Sequence, residues 1–306
     1  MNTVLVTGAS GFIGRHCLPL LTLRGYDVHA VSSQLPAHES AAIRWHQVDL
    51  LDSQQVAKVV SAARPTHLLH LAWCTAPGEY WTSPENVRWV QASLELLQSF
   101  AAQGGQRVVM AGTCAEYSWK HGWCSEAVTP IEPATLYGIC KNSLQTIVTA
   151  FAERRGLSAG WGRLFLGYGP HEHRDRLVPS VICSLLQGRQ ARCTLGNQVR
   201  DFCYVEDVAD AFVALLDSPV TGSINVASGR PLMVKDLVYA IADKLNRREL
   251  VHLGALPTSV DDPPLLVADV RRLGEEVGWS PRYDLDAGLE RTIRWWRGQF
   301  GEGARP

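Results

Sequence analysis

The chain has 306 residues, 46% of them hydrophobic and 19% charged, with a formal net charge of −1. This length suits one large α/β unit with a smaller appended lobe, and the composition suits a soluble globular protein with a sizeable core. Near-neutral charge offers no field for nucleic acid or an anionic membrane, and no stretch approaches the roughly 20 apolar residues that span a bilayer. The opening residues carry no basic leader, so the expected location is cytoplasmic. Eight cysteines (Cys17, Cys74, Cys114, Cys124, Cys140, Cys183, Cys193 and Cys203) are scattered, with no CxxC and no zinc spacing. Reduced thiols are expected, with no metal site.

In chain order, residues 3–6 read as a strand and 11–24 as a helix. Strands follow at 28–31 and 43–48, then a helix at 53–63, a strand at 67–71, a long helix near 84–103 and a strand at 107–111. Such alternation predicts βαβ units and a doubly wound parallel sheet, a Rossmann fold with helices on both faces. After about residue 165 the order becomes less regular, with more Gly and Pro breaks. The expected division is a dinucleotide-binding part over 1–165, with a segment near 200–228 returning to it. Residues 166–306 then form mainly a smaller C-terminal substrate lobe.

The string VTGASGFIGRH follows the first strand and opens the first helix, with glycines at Gly8, Gly11 and Gly14. Glycines there permit a tight turn, close approach of backbone N–H groups to a pyrophosphate, and close helix–strand packing. The positive end of the helix dipole then faces the phosphates. At the end of the second strand an NAD-binding version carries an acid for the ribose hydroxyls, and this chain has Ser32 and Ser33. Two hydroxyls, with Arg15 nearby, favour NADP(H), with NAD(H) as the alternative. Asp49, after the third strand, suits an adenine contact or a cap for the helix at 53–63.

Tyr137 and Lys141, in LYGICK, are four apart on a segment that reads as helix from Ala134, so they share a face. An ammonium beside a phenol lowers its pKa from the usual ~10 and makes it usable for proton transfer near neutrality. The stretch MAGTCAEYSW (110–119) offers Thr113 just before them, at a strand exit.

Together TGASGFIG, Thr113 four residues before Tyr117, YGICK, and RDFCYVEDVADAF (200–212) resemble the extended short-chain dehydrogenases/reductases, the NAD-dependent epimerase/dehydratase family. The resemblance covers nearly the whole chain, including VADVRRLGEEVGWSPRYDLDAGLERTI near its end. Within the family, the string GNQVRDFCYVEDV and LGAL (253–256) look most like CDP-abequose/paratose-type 4-ketoreductases. The resemblance implies Thr113, Tyr137 and Lys141 as the catalytic triad. It implies dinucleotide contacts from Gly8, Ser10, Gly11, Phe12, Ile13, Gly14, Ser32, Ser33, Asp49, Leu50, Leu71, Ala72, Tyr137 and Lys141. Substrate contacts are expected from Trp73, Cys74, Thr75, Cys114, Glu116, Val178 and Arg200, with Arg200 on a nucleotide diphosphate. Tyr117 is expected to pack.

Absent residues narrow the reaction. Family dehydratases carry Asp-Glu directly after the Thr, where this chain has Cys114 and Ala115. The epimerase-reductases that make fucose nucleotides place a catalytic Cys two after the Ser, the position of Ala115. The Asn of the family's RxFN is Leu166, and a second diphosphate arginine is replaced by Ser259. HEHRDR (171–176) lacks a third ligand at metal spacing. The expectation is NADPH-dependent reduction of a nucleotide-linked 4-keto-6-deoxy sugar. The alternative is an NAD-dependent nucleotide-sugar epimerase or dehydratase, and a minor one is an NADP-sensing regulator. A homodimer through the helices at 137–154 and 83–102 is also expected.

Overall fold

A computed structural model describes residues 2–36, 40–259 and 261–302. Strands β1 (Thr3–Thr7), β2 (Asp27–Ser32), β3 (Ile43–Gln47), β4 (His67–His70) and β5 (Arg107–Thr113) alternate with α1 (Gly14–Leu23), α2 (Ser53–Ala63) and α3 (Glu85–Ala102). Then come β6 (Trp123–Cys124), α4 (Leu136–Arg155), β7 (Ser158–Leu164), β8 (Leu166–Tyr168), α5 (Leu177–Leu186), β9 (Ala191–Arg192) and β10 (Val199–Tyr204). The chain closes with α6 (Val205–Asp217), β11 (Gly222–Val226), β12 (Pro231–Met233), α7 (Val234–Leu245), β13 (Val251–His252), β14 (Leu265–Ala268), α8 (Arg271–Glu275) and α9 (Leu285–Glu302).

Seven strands form one sheet in the order β11-β7-β5-β4-β1-β2-β3, every pair parallel. Strand order reverses between β1 and β4, so the exits of those two strands diverge and leave a crevice at the carboxyl edge. The strands read as continuous apolar runs because both faces are covered. On one face α1 and α6 bury Cys17, Leu18, Leu21, Val208 and Phe212 against Val4, Val6 and Val28. On the other, α2, α3 and α4 bury Val56, Val60, Leu96, Leu97, Leu144 and Val148 against Leu5, Leu68 and Val108.

The smaller C-terminal lobe is built on a mixed sheet, β12-β10-β14-β6, with β8 also paired to β10. α5, α7 and α9 pack over it through Val178, Ile182, Leu237, Ile241, Leu289 and Ile293. The chain does not leave the large sheet for good, because α6 and β11 return to it.

Element starts differ from expectation where the backbone is specialised. α1 begins at Gly14 rather than Gly11, because Gly8–Ile13 form the turn. α4 begins at Leu136, with the Thr135 hydroxyl accepting from Gly138 N at 3.1 Å as its N-cap. Asp52, not Asp49, caps α2: its carboxylate accepts from Gln54 N at 2.9 Å and Gln55 N at 3.2 Å. All eight cysteines carry free thiols, seven of them buried. Among the described residues no helix is long and apolar enough to cross a membrane.

Candidate active site

The glycine loop connects β1 to α1 beside the exit of β4. Gly8 has φ 66°, and a Cβ there would lie 2.8 Å from Ala72 N, so Leu71–Ala72 can cross only over a glycine. A Cβ at Gly14 would lie 2.2 Å from Gly8 O, which lets α1 start directly on the turn. No side chain caps α1, and the N–H groups of Phe12 and Ile13 find no acceptor among the described residues. Free N–H groups at a helix start are a donor set for phosphate, so the loop fits a dinucleotide's pyrophosphate.

Beside the loop, Ser10 Oγ and Ser32 Oγ are 2.6 Å apart, joining the turn to the end of β2. Arg15 folds back to donate to the carbonyls of Ser10 and Gly11, each at 3.1 Å from Nε. Ser33 and Asp49 are exposed at neighbouring strand exits, Asp49 accepting from Leu51 N at 3.0 Å. Leu50, an expected cofactor contact, is buried in the core under α2.

At the exit of β5, the Thr113 hydroxyl accepts from Ala115 N at 3.2 Å and starts a single 3₁₀ turn, Cys114–Glu116. α4 approaches this turn closely because residue 138 is glycine: a Cβ there would lie 2.4 Å from Ala115 O. Tyr137 and Lys141 thereby arrive next to Thr113, all three buried. Lys141 Nζ donates to Ala111 O at 2.9 Å and lies 3.7 Å from the centre of the Trp73 ring.

Burial dominates the electrostatics of the set. Burial pushes the Tyr137 phenol above its ordinary range, with the Thr113 hydrogen bond pulling the other way. Burial brings Lys141 itself down to about 7, Glu116 opposing it. Tyr137 is closed in by aromatic rings: Tyr80 edge-on at 4.9 Å, Trp81 at 5.8 Å and Trp73 at 6.4 Å. The loop 73–81 therefore packs as a wall over the phenol, with Cys74 half-buried and Thr75 exposed. Asn86 holds that wall, accepting from Trp73 Nε1 at 2.8 Å and donating to Tyr80 O at 2.7 Å.

Four of the expected substrate contacts are buried side chains. Glu116 is fully buried: it accepts from Thr113 N at 2.8 Å and from Trp161 Nε1 at 3.0 Å, and pairs with Arg163 Nε at 2.6 Å. It is a strut beneath the triad. Val178 lies in the lobe core. Arg200 is buried, paired with Asp262 and donating to Val199 O at 2.8 Å, so its charge is already matched. Cys114 is buried, and burial with nearby Cys124 and Glu116 pushes its thiol up to about 12. Tyr117 packs as expected, its hydroxyl donating to Asn225 Oδ1 at 2.8 Å.

One positioning residue has no signal in the sequence. Buried His70 lies 2.7 Å from Thr7 Oγ1 and 2.9 Å from Ser93 Oγ, tying the exits of β1 and β4 to α3. Burial and Lys141 push its imidazole down to about 3, so it stays neutral. HEHRDR forms an irregular loop before α5, and no group of three or more His, Cys, Asp or Glu converges among the described residues.

The parallel crevice, the glycine loop and a Thr–Tyr–Lys set at one strand exit define an enzyme of the extended short-chain dehydrogenase/reductase type. The chain belongs to the NAD dependent epimerase/dehydratase family, whose pattern matches residues 4–227. It is 27% identical to a UDP-glucose 4-epimerase of Rhizobium meliloti (strain 1021), covering 96% of this chain and 97% of that protein. It is 26% identical to UDP-glucuronic acid decarboxylase 1 of Xenopus tropicalis, over 96% and 72% of the two chains. Among solved structures, MoeE5 in complex with UDP-glucuronic acid and NAD superposes with a TM-score of 0.87 at 30% identity, covering 97% of this chain and 100% of that one. The two curated relatives are an epimerase and a decarboxylase by name, and these matches do not support the expected kinship with the 4-ketoreductases.

Proposed function

We propose that this chain acts on a nucleotide-linked hexose, oxidising one ring carbon to a ketone and re-reducing it, as a nucleotide-sugar epimerase does. The observation that carries this reading is a site with a single proton-transferring side chain. Tyr137 is flanked by Thr113 and Lys141, and Ala115 and a thiol held near 12 stand where further acid or base groups would be needed. The relatives favour epimerisation over simple reduction: the 4-epimerase matches along both whole chains, and MoeE5 holds UDP-sugars together with NAD.

In this reading the glycine loop binds the pyrophosphate, and Ser10 and Ser32 take the adenosine ribose. A dinucleotide held by the glycine loop, Ser10 and Ser32 would supply a reversible hydride acceptor beside Tyr137. Tyr137 accepts the proton of the sugar hydroxyl on oxidation and gives it back on re-reduction. Thr113 holds the same oxygen by a hydrogen bond. Lys141, already near the edge of its charged range, steadies the phenolate when it forms. The wall of Trp73, Tyr80 and Trp81 keeps water from the ketone.

The decisive test incubates the purified chain with UDP-glucose or UDP-glucuronic acid and follows C4 configuration by NMR, with dinucleotide absorbance read in parallel. Epimer formation without net dinucleotide consumption is expected. Stoichiometric NADPH oxidation by a 4-keto sugar nucleotide, with no epimer, would return the reductase reading, which rests on Cys114 and Ala115 standing where other family members carry acid–base groups.

A further inference from the structure

The loop between β8 and α5 runs from the glycine loop to the wall around Tyr137. At its near end His171 has a left-handed backbone, φ 67°, and its Nδ1 lies 2.5 Å from the Arg15 guanidinium. At its far end the Arg176 guanidinium sits 5.2 Å from the Tyr80 ring centre and reaches Thr75 O at 3.5 Å. Tyr80 in turn is edge-on to Tyr137. Glu172 lies between these two anchors. Its Oε2 is shut off from solvent and finds no hydrogen-bond partner among the described residues. Burial raises the carboxyl to about 8, against the pull of Arg176 and of Gly169 N–H.

A buried polar atom without a partner lowers stability, and folded proteins retain few of them. The loop that holds this one also contains a non-glycine residue in the left-handed region. Such features persist where the surroundings fix them, and they cluster at sites that bind or react. We propose that Glu172 is a ligand-binding residue, its carboxyl hydrogen-bonding a sugar hydroxyl between the glycine loop and Tyr137. This rests on the reading of the site as one for a dinucleotide and a nucleotide sugar. Hydroxyls reach that space from two sources, a ribose of the dinucleotide and the hexose, and a carboxyl pairs with either in the same way.

The test compares wild type, Glu172→Leu and Glu172→Gln. Affinities for NADH and for UDP-glucose are titrated separately by calorimetry, and Tm is measured without ligand. Glu172→Leu is expected to raise Tm by about 2 °C or more, because it removes a buried carboxyl oxygen that has no hydrogen bond. It is also expected to weaken one of the two ligands roughly tenfold or more, while Glu172→Gln stays within about threefold of wild type. Loss of NADH affinity places the hydroxyl on the dinucleotide, and loss of UDP-glucose affinity places it on the sugar. Wild-type affinity of Glu172→Leu for both ligands overturns the proposal. So does a Glu172→Leu protein that melts lower or does not fold, since the carboxyl then serves the structure. Wild type that binds neither ligand overturns the functional reading and this proposal together, and the wild-type titration tells the two failures apart.

Discussion

Tyr137 sits in a site that suppresses its ionisation and that of its lysine at once. Burial holds the phenol protonated, and Lys141 falls to about 7 with its amine on a carbonyl and over an indole ring. Tyr137→Phe keeps the ring packing and removes the transferable proton. Turnover should fall by ~10²–10⁴-fold while dinucleotide affinity barely moves, as initial rates and a binding titration would show. Lys141 also leaves a mark on stability. Its folded pKa lies below the unfolded value, so the unfolded chain binds more protons between about 7 and the ordinary lysine value. Stability from this group therefore rises with pH across that window. Lys141→Met should flatten that rise, and urea midpoints at pH 7 and 9.5 for both proteins would test it. An equal pH slope in the two would contradict the lysine's burial. At the other end of the crevice, the Ser10–Ser32 hydroxyl pair leaves the 2′ position without an acid. Ser32→Asp should raise affinity for NADH relative to NADPH, since a carboxylate repels a 2′-phosphate and accepts ribose hydroxyls. Unchanged relative affinities would show that Ser32 does not face the ribose.

At the scale of elements, the end of β5 is held by charges from other strands. Glu116 closes the 3₁₀ turn after Thr113 and is itself clamped by Trp161 and Arg163 of β7. Removing one partner of a buried pair leaves the other charge unmatched. Glu116→Ala should therefore cost about 3–5 kcal/mol in denaturant unfolding and lower activity through misplacement of Thr113. An effect under about 1 kcal/mol would mean that Arg163 finds another acceptor. α3 and α4 show a different economy of surface. In the helices expected to pair two copies, Leu96, Leu97 and Val148 are core residues, whereas Val87 and Ile147 are 57% and 44% exposed. With Ile139 also exposed on α4, these faces are suited to pairing with a second copy. Light scattering should find a dimer at micromolar concentration and Ile147→Glu should shift it toward monomer, whereas a monomeric wild type would remove the idea.

For the molecule as a whole, the sequence by itself determined the layered architecture and the shared helix face of Tyr137 and Lys141. Strand–helix alternation, glycine spacing and the four-residue step from Tyr137 to Lys141 are local signals, set by backbone sterics and by the 3.6-residue helical turn. They depend on neighbours a few positions away, so they survive without knowledge of the fold. Only tertiary structure decided which polar groups face the site. Glu116 turned inward because Arg163, 47 residues on, arrives beside it on β7. Arg200 is neutralised by Asp262, 62 residues away. His70 took Thr7 and Ser93 as partners, and Glu172 Oε2 took none among the described residues. A charged side chain reads the same in sequence whether it meets its counterion or a ligand. The difference is a matter of desolvation and pairing across distant segments, and that exists only once the sheet has closed.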